Sequence, residues 1–296
     1  MTVILFKWMV QASARYPGLM FLVIKTFCVF FFNVTGYRKQ IIEQNLKNAF
    51  PEKEKSEIHQ IFHRYIRVIA RYISEAFQVF GRMKKDMKHT CFVNQNPEWN
   101  ACFIQPGSTI VMASHLGNWE TNVVLLPEFS TKKIVGFYKP LRHKGLDRLI
   151  QGYRSRYGLE LIPIEQTVRY MTKHIKEDIV YIFLADQGPF NLNGAYWNKF
   201  LHQNTPWYTG AEKLARRLHM PVFYLSQEPK FPDQSHPTGA WYRLEAKLIC
   251  TKADTQKEGE ITEKYSRMLE QEIQIAPEYW LWSHRRWKRA HNVPKA

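Results

Sequence analysis

From Thr109 onward the chain alternates short apolar runs with longer amphipathic segments, and that alternation confines it to an α/β architecture. Thr109–Ser114, after the turn Pro106-Gly107, has the pattern of a strand, and Lys133–Tyr138, Ile179–Leu184 and Val222–Ser226 repeat it. Trp241–Leu248 alternates as a half-buried strand does. Helical periodicity fills the intervals at Trp119–Leu126, Leu146–Tyr157, Val168–Lys176 and Ala211–Leu218, and a closing helix, Ile261–Ile275, stops before Pro277. An amphipathic last strand beside continuously apolar ones predicts a mixed central sheet flanked by helices. Residues 37–90 are expected to be helical with charged faces. No internal repeat, low-complexity tract or further domain boundary interrupts 36–296.

Ahead of this body lies Gly18–Val34, apolar except for Lys25, Thr26 and Asn33. As a helix it is about 25 Å long, just under a hydrocarbon core of ~30 Å. Residues 1–35 are therefore expected to be a membrane anchor, spanning the bilayer or lying in one leaflet, with a buried core helix as the alternative. No small-residue cleavage site follows the run, which argues against a signal peptide. Arg38 and Lys39 just beyond it favour a body on the cytoplasmic side. A mean hydropathy of −0.40 excludes a polytopic membrane protein.

Lys and Arg outnumber Asp and Glu 42 to 26, a net charge of +16. Such a balance implies an anionic partner: nucleic acid, anionic lipid or an acidic carrier protein. Placement helps to choose. No acidic residue precedes Glu43, whereas Lys7, Arg15, Lys25, Arg38 and Lys39 do, beside Trp8, Phe31 and Phe32. The far end combines Arg285, Arg286, Lys288, Arg289 and Lys295 with Trp280, Trp282 and Trp287. Basic residues interleaved with aromatic and apolar runs fit a membrane surface better than a nucleic-acid face. For the closing cluster, a solvated tail packed on the body is an equal alternative. Cys28, Cys91, Cys102 and Cys250 are scattered without metal-ligand spacing, so reduced thiols and no metal are expected.

The chemistry concentrates in Ser114-His115-Leu116-Gly117-Asn118-Trp119-Glu120. A strand ends at Ser114, and Gly117-Asn118 turns the chain into a helix. On one continuous helix His115 and Glu120 would point about 140° apart. Across a strand–loop–helix junction they can meet. His115 would then stand at a strand end, where open α/β sheets bind ligands. Glu120 would stand in a first helical turn, where the helix dipole favours a carboxylate. A carboxylate on one imidazole nitrogen sets the tautomer and frees the other nitrogen as a general base. The bland alternative is a loop histidine and a solvated helix glutamate. Asp186, just past Ile179–Leu184, also falls at a sheet end, with a turn cap as its alternative. Arg154, near the end of Leu146–Tyr157, either binds an anionic group or offsets a helix C-terminus. No Gly-x-Ser-x-Gly elbow, zinc-protease motif, phosphate loop or dinucleotide fingerprint is present.

Six motifs taken in order resemble the lipid A biosynthesis acyltransferase branch of the lysophospholipid-acyltransferase superfamily. They are Asn45-Leu46 with Phe50-Pro51, His115-x4-Glu120, Tyr138-Lys139-Pro140, Arg154-x-Arg156-x-Gly158, Asp186-Gln187, and Pro277-Glu278-Tyr279-Trp280-Leu281-Trp282 with His284-Arg285-Arg286. The resemblance implies His115 as general base with Glu120 as its partner, and a need for Arg154 and Asp186. Lys139, Arg156, Gln187 and Asn118 are candidate binding or supporting residues. It further implies a fatty acyl thioester on acyl carrier protein as donor, a lipid A precursor hydroxyl as acceptor, and the cytoplasmic face of the bacterial inner membrane. No cofactor is implied. Lys139 departs from the family's usual arginine, losing the bidentate fork and putting the standard phosphorylated acceptor in doubt. A lysophospholipid or an aminolipid is the alternative acceptor. Phosphoglycerol enzymes of the superfamily typically carry His-x4-Asp and Glu-Gly-Thr, which Glu120 and Asp186-Gln187 argue against.

Overall fold

The computed structural model describes residues 2–83, 91–229 and 241–289, so Lys295 lies outside the described residues. The first two helices, α1 (Thr2–Arg15) and α2 (Pro17–Val34), are separated at Tyr16 by Pro17, which starts a new helix rather than continuing the old one. They are followed by α3 (Lys39–Ala49) and α4 (Lys55–Gly81). A capping box opens α4, with the Glu54 backbone N–H donating to Glu57 Oε2 at 3.0 Å. Then come β1 (Cys91–Val93), the one-turn α5 (Pro97–Trp99), β2 (Thr109–Ala113), α6 (Trp119–Leu125), β3 (Lys133–Tyr138), α7 (Lys144–Ser155) and β4 (Glu160–Pro163). The chain continues through α8 (Thr167–Lys173), β5 (Ile179–Leu184), β6 (Tyr196–Phe200), β7 (Gln203–Trp207), α9 (Gly210–Leu218), β8 (Val222–Pro229), β9 (Tyr242–Cys250) and α10 (Glu260–Ile275).

Seven strands form the expected mixed sheet in the order β1-β9-β8-β2-β5-β3-β4. Every residue of β2 is buried, as its uninterrupted apolar sequence requires of a central strand covered on both faces. Strands β8, β2, β5, β3 and β4 run parallel, and β9 turns back antiparallel to β8 with β1 beside it. The crossover from β2 to β3 skips a position, and β5 later fills it, pairing Ala113 with Leu184. The loops after β2 and β5 are thereby brought side by side at the sheet's carboxyl edge, a favoured place for ligands.

The helices join the same core. Ile24, Cys28 and Phe32 of α2 belong to one apolar cluster with Phe62 and Tyr65 of α4 and the sheet residues, so residues 1–35 do not pack as a separate unit. At the other end, of the two readings of the closing cluster, the burial of Trp280, Trp282 and Trp287 fits the one packed on the body and not a membrane footprint. These residues are 3%, 0% and 8% exposed. Their indole N–H groups reach Asp186, the Pro277 carbonyl and the Thr205 hydroxyl, which is how a tryptophan is buried without an orphaned donor.

Candidate active site

His115 stands two residues past the end of β2, and Asp186 two past the end of β5. The strand pairing continues one step further, Ala185 N–H donating to the Ala113 carbonyl at 3.0 Å. Imidazole and carboxylate thus meet: His115 Nδ1 lies 2.6 Å from Asp186 Oδ1. The His115 backbone N–H donates to Asp186 Oδ2 at 2.9 Å, and the Trp280 indole N–H donates to the same oxygen at 2.8 Å. An ionised carboxylate only accepts, so the imidazole proton sits on Nδ1 and Nε2 carries the lone pair. The Gln187 side-chain amide donates to Nε2 at 3.0 Å. Trp119 holds the ring from the side, with centroids 4.8 Å apart.

His115 and Glu120 do not form the pair expected from the sequence. Asp186 occupies the position at Nδ1, and both Glu120 oxygens are taken by Arg154, Nε at 2.6 Å and Nη2 at 2.7 Å. The physical reason is direction. Glu120 leaves the first turn of α6 toward α7, whereas His115 lies under the neighbouring β5 loop. Glu120, Arg154, Lys139 and Gln187 nevertheless line one cavity of about 440 Å3 with His115. Arg154 commits Nε and Nη2 to Glu120 within this cavity. Lys139 is exposed at the rim, with its ammonium 4.7 Å from the centre of the Phe190 ring.

Asn118 and Arg156 are brought into the scaffold and not into the cavity. Asn118 caps α6 by accepting from the Thr121 N–H at 3.2 Å, and its amide donates to the Tyr72 carbonyl and to Glu75 Oε2 at 3.1 and 3.0 Å. Arg156 donates to the Phe80 carbonyl at 3.0 Å, neutralising the C-terminal end of α4. Gly117 between the two site elements has φ of +70°, and a Cβ there would stand 3.2 Å from the Gln227 carbonyl oxygen. Only glycine makes that turn without strain.

Burial alone would raise the Asp186 carboxyl. The electrostatic attraction of the adjacent His115 side chain and the hydrogen bonds from His115 and Trp280 outweigh it and hold the group down at about 2. His284 is pushed down to about 4 by burial, so it is neutral at pH 7. The fixed cation behind the site is Arg286, 2% exposed and pushed down to about 10 by burial, with Asp186 and Tyr265 opposing the shift. Its guanidinium carbon stands 4.4 Å from the centre of the Trp207 ring, and its three nitrogens have no hydrogen-bond partner among the described residues. Gly188, just after Asp186-Gln187, lies against Arg286: a Cβ there would stand 3.3 Å from the Arg286 carbonyl oxygen and 3.5 Å from its Nη1. Sequence reasoning passed over Trp280 and Arg286 as site residues. Their signal was the closing motif, which gives type and order but not which side chains turn inward.

A second, more apolar cavity of about 380 Å3 adjoins the first, with Phe137 and Leu184 lining both. Together the two place the His115 imidazole, the Arg154 guanidinium and an apolar chamber along one wall of the sheet. Residues 4–289 match the model of the family described as bacterial lipid A biosynthesis acyltransferase. No curated protein matches the chain.

Proposed function

The chain belongs to the bacterial lipid A biosynthesis acyltransferase family, and on that premise we propose that it transfers a fatty acyl group from acyl carrier protein to a hydroxyl of a lipid A precursor. The reaction takes place at the cytoplasmic face of the inner membrane. The observation that carries this reading is His115 in the wall of the cavity, its Nδ1 held 2.6 Å from the Asp186 carboxylate so that Nε2 is the nitrogen left to act as the base.

The chemistry follows from those atoms. The acceptor hydroxyl displaces the Gln187 amide from His115 Nε2 and gives up its proton there as its oxygen attacks the thioester carbonyl. Asp186 stabilises the imidazolium that forms. Arg154, oriented by Glu120, offers Nη1 to negative charge on the tetrahedral oxygen or to an acceptor phosphate. The intermediate collapses by breaking the carbon–sulfur bond, and the departing thiolate takes the proton from His115. An ester and a free carrier thiol result. The chamber beyond Phe137 and Leu184 houses the acyl chain.

Lys139 favours a second acceptor class, a lysophospholipid or an aminolipid, because a single ammonium is a less demanding phosphate partner than an arginine fork. The test is to incubate the purified enzyme with acyl carrier proteins of several chain lengths and each acceptor, and to identify products by mass. An acylated lipid A precursor supports the reading. Acylation of the other lipids alone overturns the acceptor assignment, and coenzyme A thioesters used equally well overturn the donor.

A further inference from the structure

We propose that Gln187 makes the site choose a lipid hydroxyl over water: its side-chain amide caps His115 Nε2 until a bound acceptor displaces it, so that the acyl thioester is transferred and not hydrolysed. The proposal rests on the acyl-transfer reading above, and one of its two tests needs no substrate.

Three contacts enclose the imidazole, and the whole residue is 8% exposed. Asp186 Oδ1 stands 2.6 Å from Nδ1, the Trp119 ring lies beside it with centroids 4.8 Å apart, and the Gln187 amide nitrogen stands 3.0 Å from Nε2. With its proton on Nδ1 the imidazole only accepts at Nε2, so Gln187 turns its NH2 and not its carbonyl toward the ring. The lone pair needed to take a proton from a nucleophile is therefore already in use in the resting protein.

The two polar partners are held very differently. Asp186 is 2% exposed and accepts from the His115 backbone, the His115 ring and the Trp280 indole, so it stays in place. Gln187 is exposed, and among the described residues its side chain bonds to Nε2 alone. The backbone on either side of it is pinned. Ala185 N–H donates to the Ala113 carbonyl at 3.0 Å, Gly188 lies against the Arg286 carbonyl, and the Pro189 carbonyl accepts from Arg289. Uncapping thus takes a side-chain rotation, a fast motion in an exposed residue, and no opening of the loop.

Competition decides which molecule uncaps the base. A water that displaces Gln187 makes one hydrogen bond for the one lost and brings no other contact. A lipid acceptor also touches the rest of the cavity wall, where Arg154, Lys139, Leu141 and Ile150 stand, and binding energy from such remote parts acts at the reacting centre. At about 440 Å3 the cavity has room for water, whose share of liquid volume is about 30 Å3, so size alone does not exclude it. On an uncapped base, water gives its proton to Nε2 as its oxygen attacks the thioester carbonyl. The carbon–sulfur bond breaks, the thiolate takes the proton from His115, and a free fatty acid and a carrier thiol result. Guarding a reactive group from hydrolysis is a general demand on such sites, and here the base itself is covered.

Gln187→Ala and Gln187→Met test the cap. Methionine matches glutamine in length and bulk but has no N–H to donate, so it separates capping from shielding. The first measurement is the rate at which diethyl pyrocarbonate modifies His115, read from the mass of its peptide with exposed His202 as internal reference. A hydrogen bond of ordinary net strength shifts an equilibrium by about two- to tenfold, so the expected rise is about threefold or more in both variants. An unchanged rate in Gln187→Met shows a side chain that only shields the ring and overturns the proposal. The second measurement is the ratio of free fatty acid to acylated lipid, with acyl carrier protein as donor carrier and the lipid acceptor present. This ratio is expected to rise by about threefold or more in both variants, with circular dichroism unchanged. A ratio equal to that of the wild type overturns the proposal even where His115 has become more reactive. If the wild type acylates no lipid from any carrier while His115 reactivity still rises in both variants, the acyl-transfer reading fails, and with it the choice between acceptors, while the cap on His115 is upheld.

Discussion

His115 presents one nitrogen to the cavity because its other polar contacts are already committed. Its backbone N–H and Nδ1 are both tied to Asp186, whose second oxygen also accepts from Trp280. Removing the base in His115→Ala is expected to lower turnover by about 10²–10⁴ while leaving the fold and donor binding in place; near-normal initial rates would reject the mechanism. Asp186→Asn and Glu120→Gln separate the two carboxylates. The first is expected to depress kcat and shift the pH–rate profile, because the amide no longer fixes the Nδ1–H tautomer. The second is expected to act through Arg154, raising KM for the acceptor with a smaller change in that profile. The acid limb of stability carries the same signature. The folded Asp186 carboxyl lies below its unfolded value, so its contribution is fully present above about pH 4 and is lost as pH falls through about 2. Denaturant melts between pH 5 and pH 2 should show a loss of about 2 kcal/mol in the wild type that Asp186→Asn lacks. All these residue types were legible in the sequence. Their pairing was not, because His115 and Asp186 are 71 positions apart and meet only through the β2–β5 contact.

Among the elements, the long apolar runs identified themselves and the short or polar ones did not. Lys133–Tyr138 and Ile179–Leu184 appear with the bounds that their patterns predict. Strands β1 and β4, of three and four residues, are too short for any period to show. The β6–β7 hairpin was hidden for a different reason. Its two-residue turn is Leu201-His202, with φ of 49° and 63°, where an Asn-Gly pair is the usual signal. Phe200 and Leu201 are fully buried, so packing holds a turn that local preference disfavours. Glu212 performs a comparable service between elements, accepting from the Gly259 and Thr262 backbone N–H groups to cap α10 from α9. The contact between α1 and α4 gives a direct test at this scale. Gly81→Leu forces its Cβ against the Val10 carbonyl and Ala14 Cβ, at 2.6 and 2.7 Å. The expected outcome is a body that still melts cooperatively but whose first 34 residues are cleaved much faster by limited proteolysis. Unchanged cleavage would mean that α1 accommodates the side chain.

At the scale of the whole molecule, the charge of +16 acts at a distance that no single contact reaches. An acidic carrier protein should be steered toward the protein by this field, which salt screens over a Debye length of roughly 8–10 Å. Apparent donor affinity is therefore expected to fall several-fold from low to physiological ionic strength in a titration of initial rates; an affinity indifferent to salt would count against carrier docking. Composition, period and motif order by themselves determined the mixed α/β class, the central strands, the apolar N-terminal helix and the family to which the chain belongs. Each of these depends on residues near one another in sequence, or on their order. Which carboxylate holds His115, which one holds Arg154, and whether the closing tryptophans face lipid or core were decided by the tertiary structure alone. Those outcomes depend on strand order and on which side chains turn inward, and a single chain's local pattern does not encode either. His115 and Glu120 are five residues apart and bind different partners; His115 and Asp186, far apart in sequence, share a hydrogen bond of 2.6 Å because β5 crosses back beside β2.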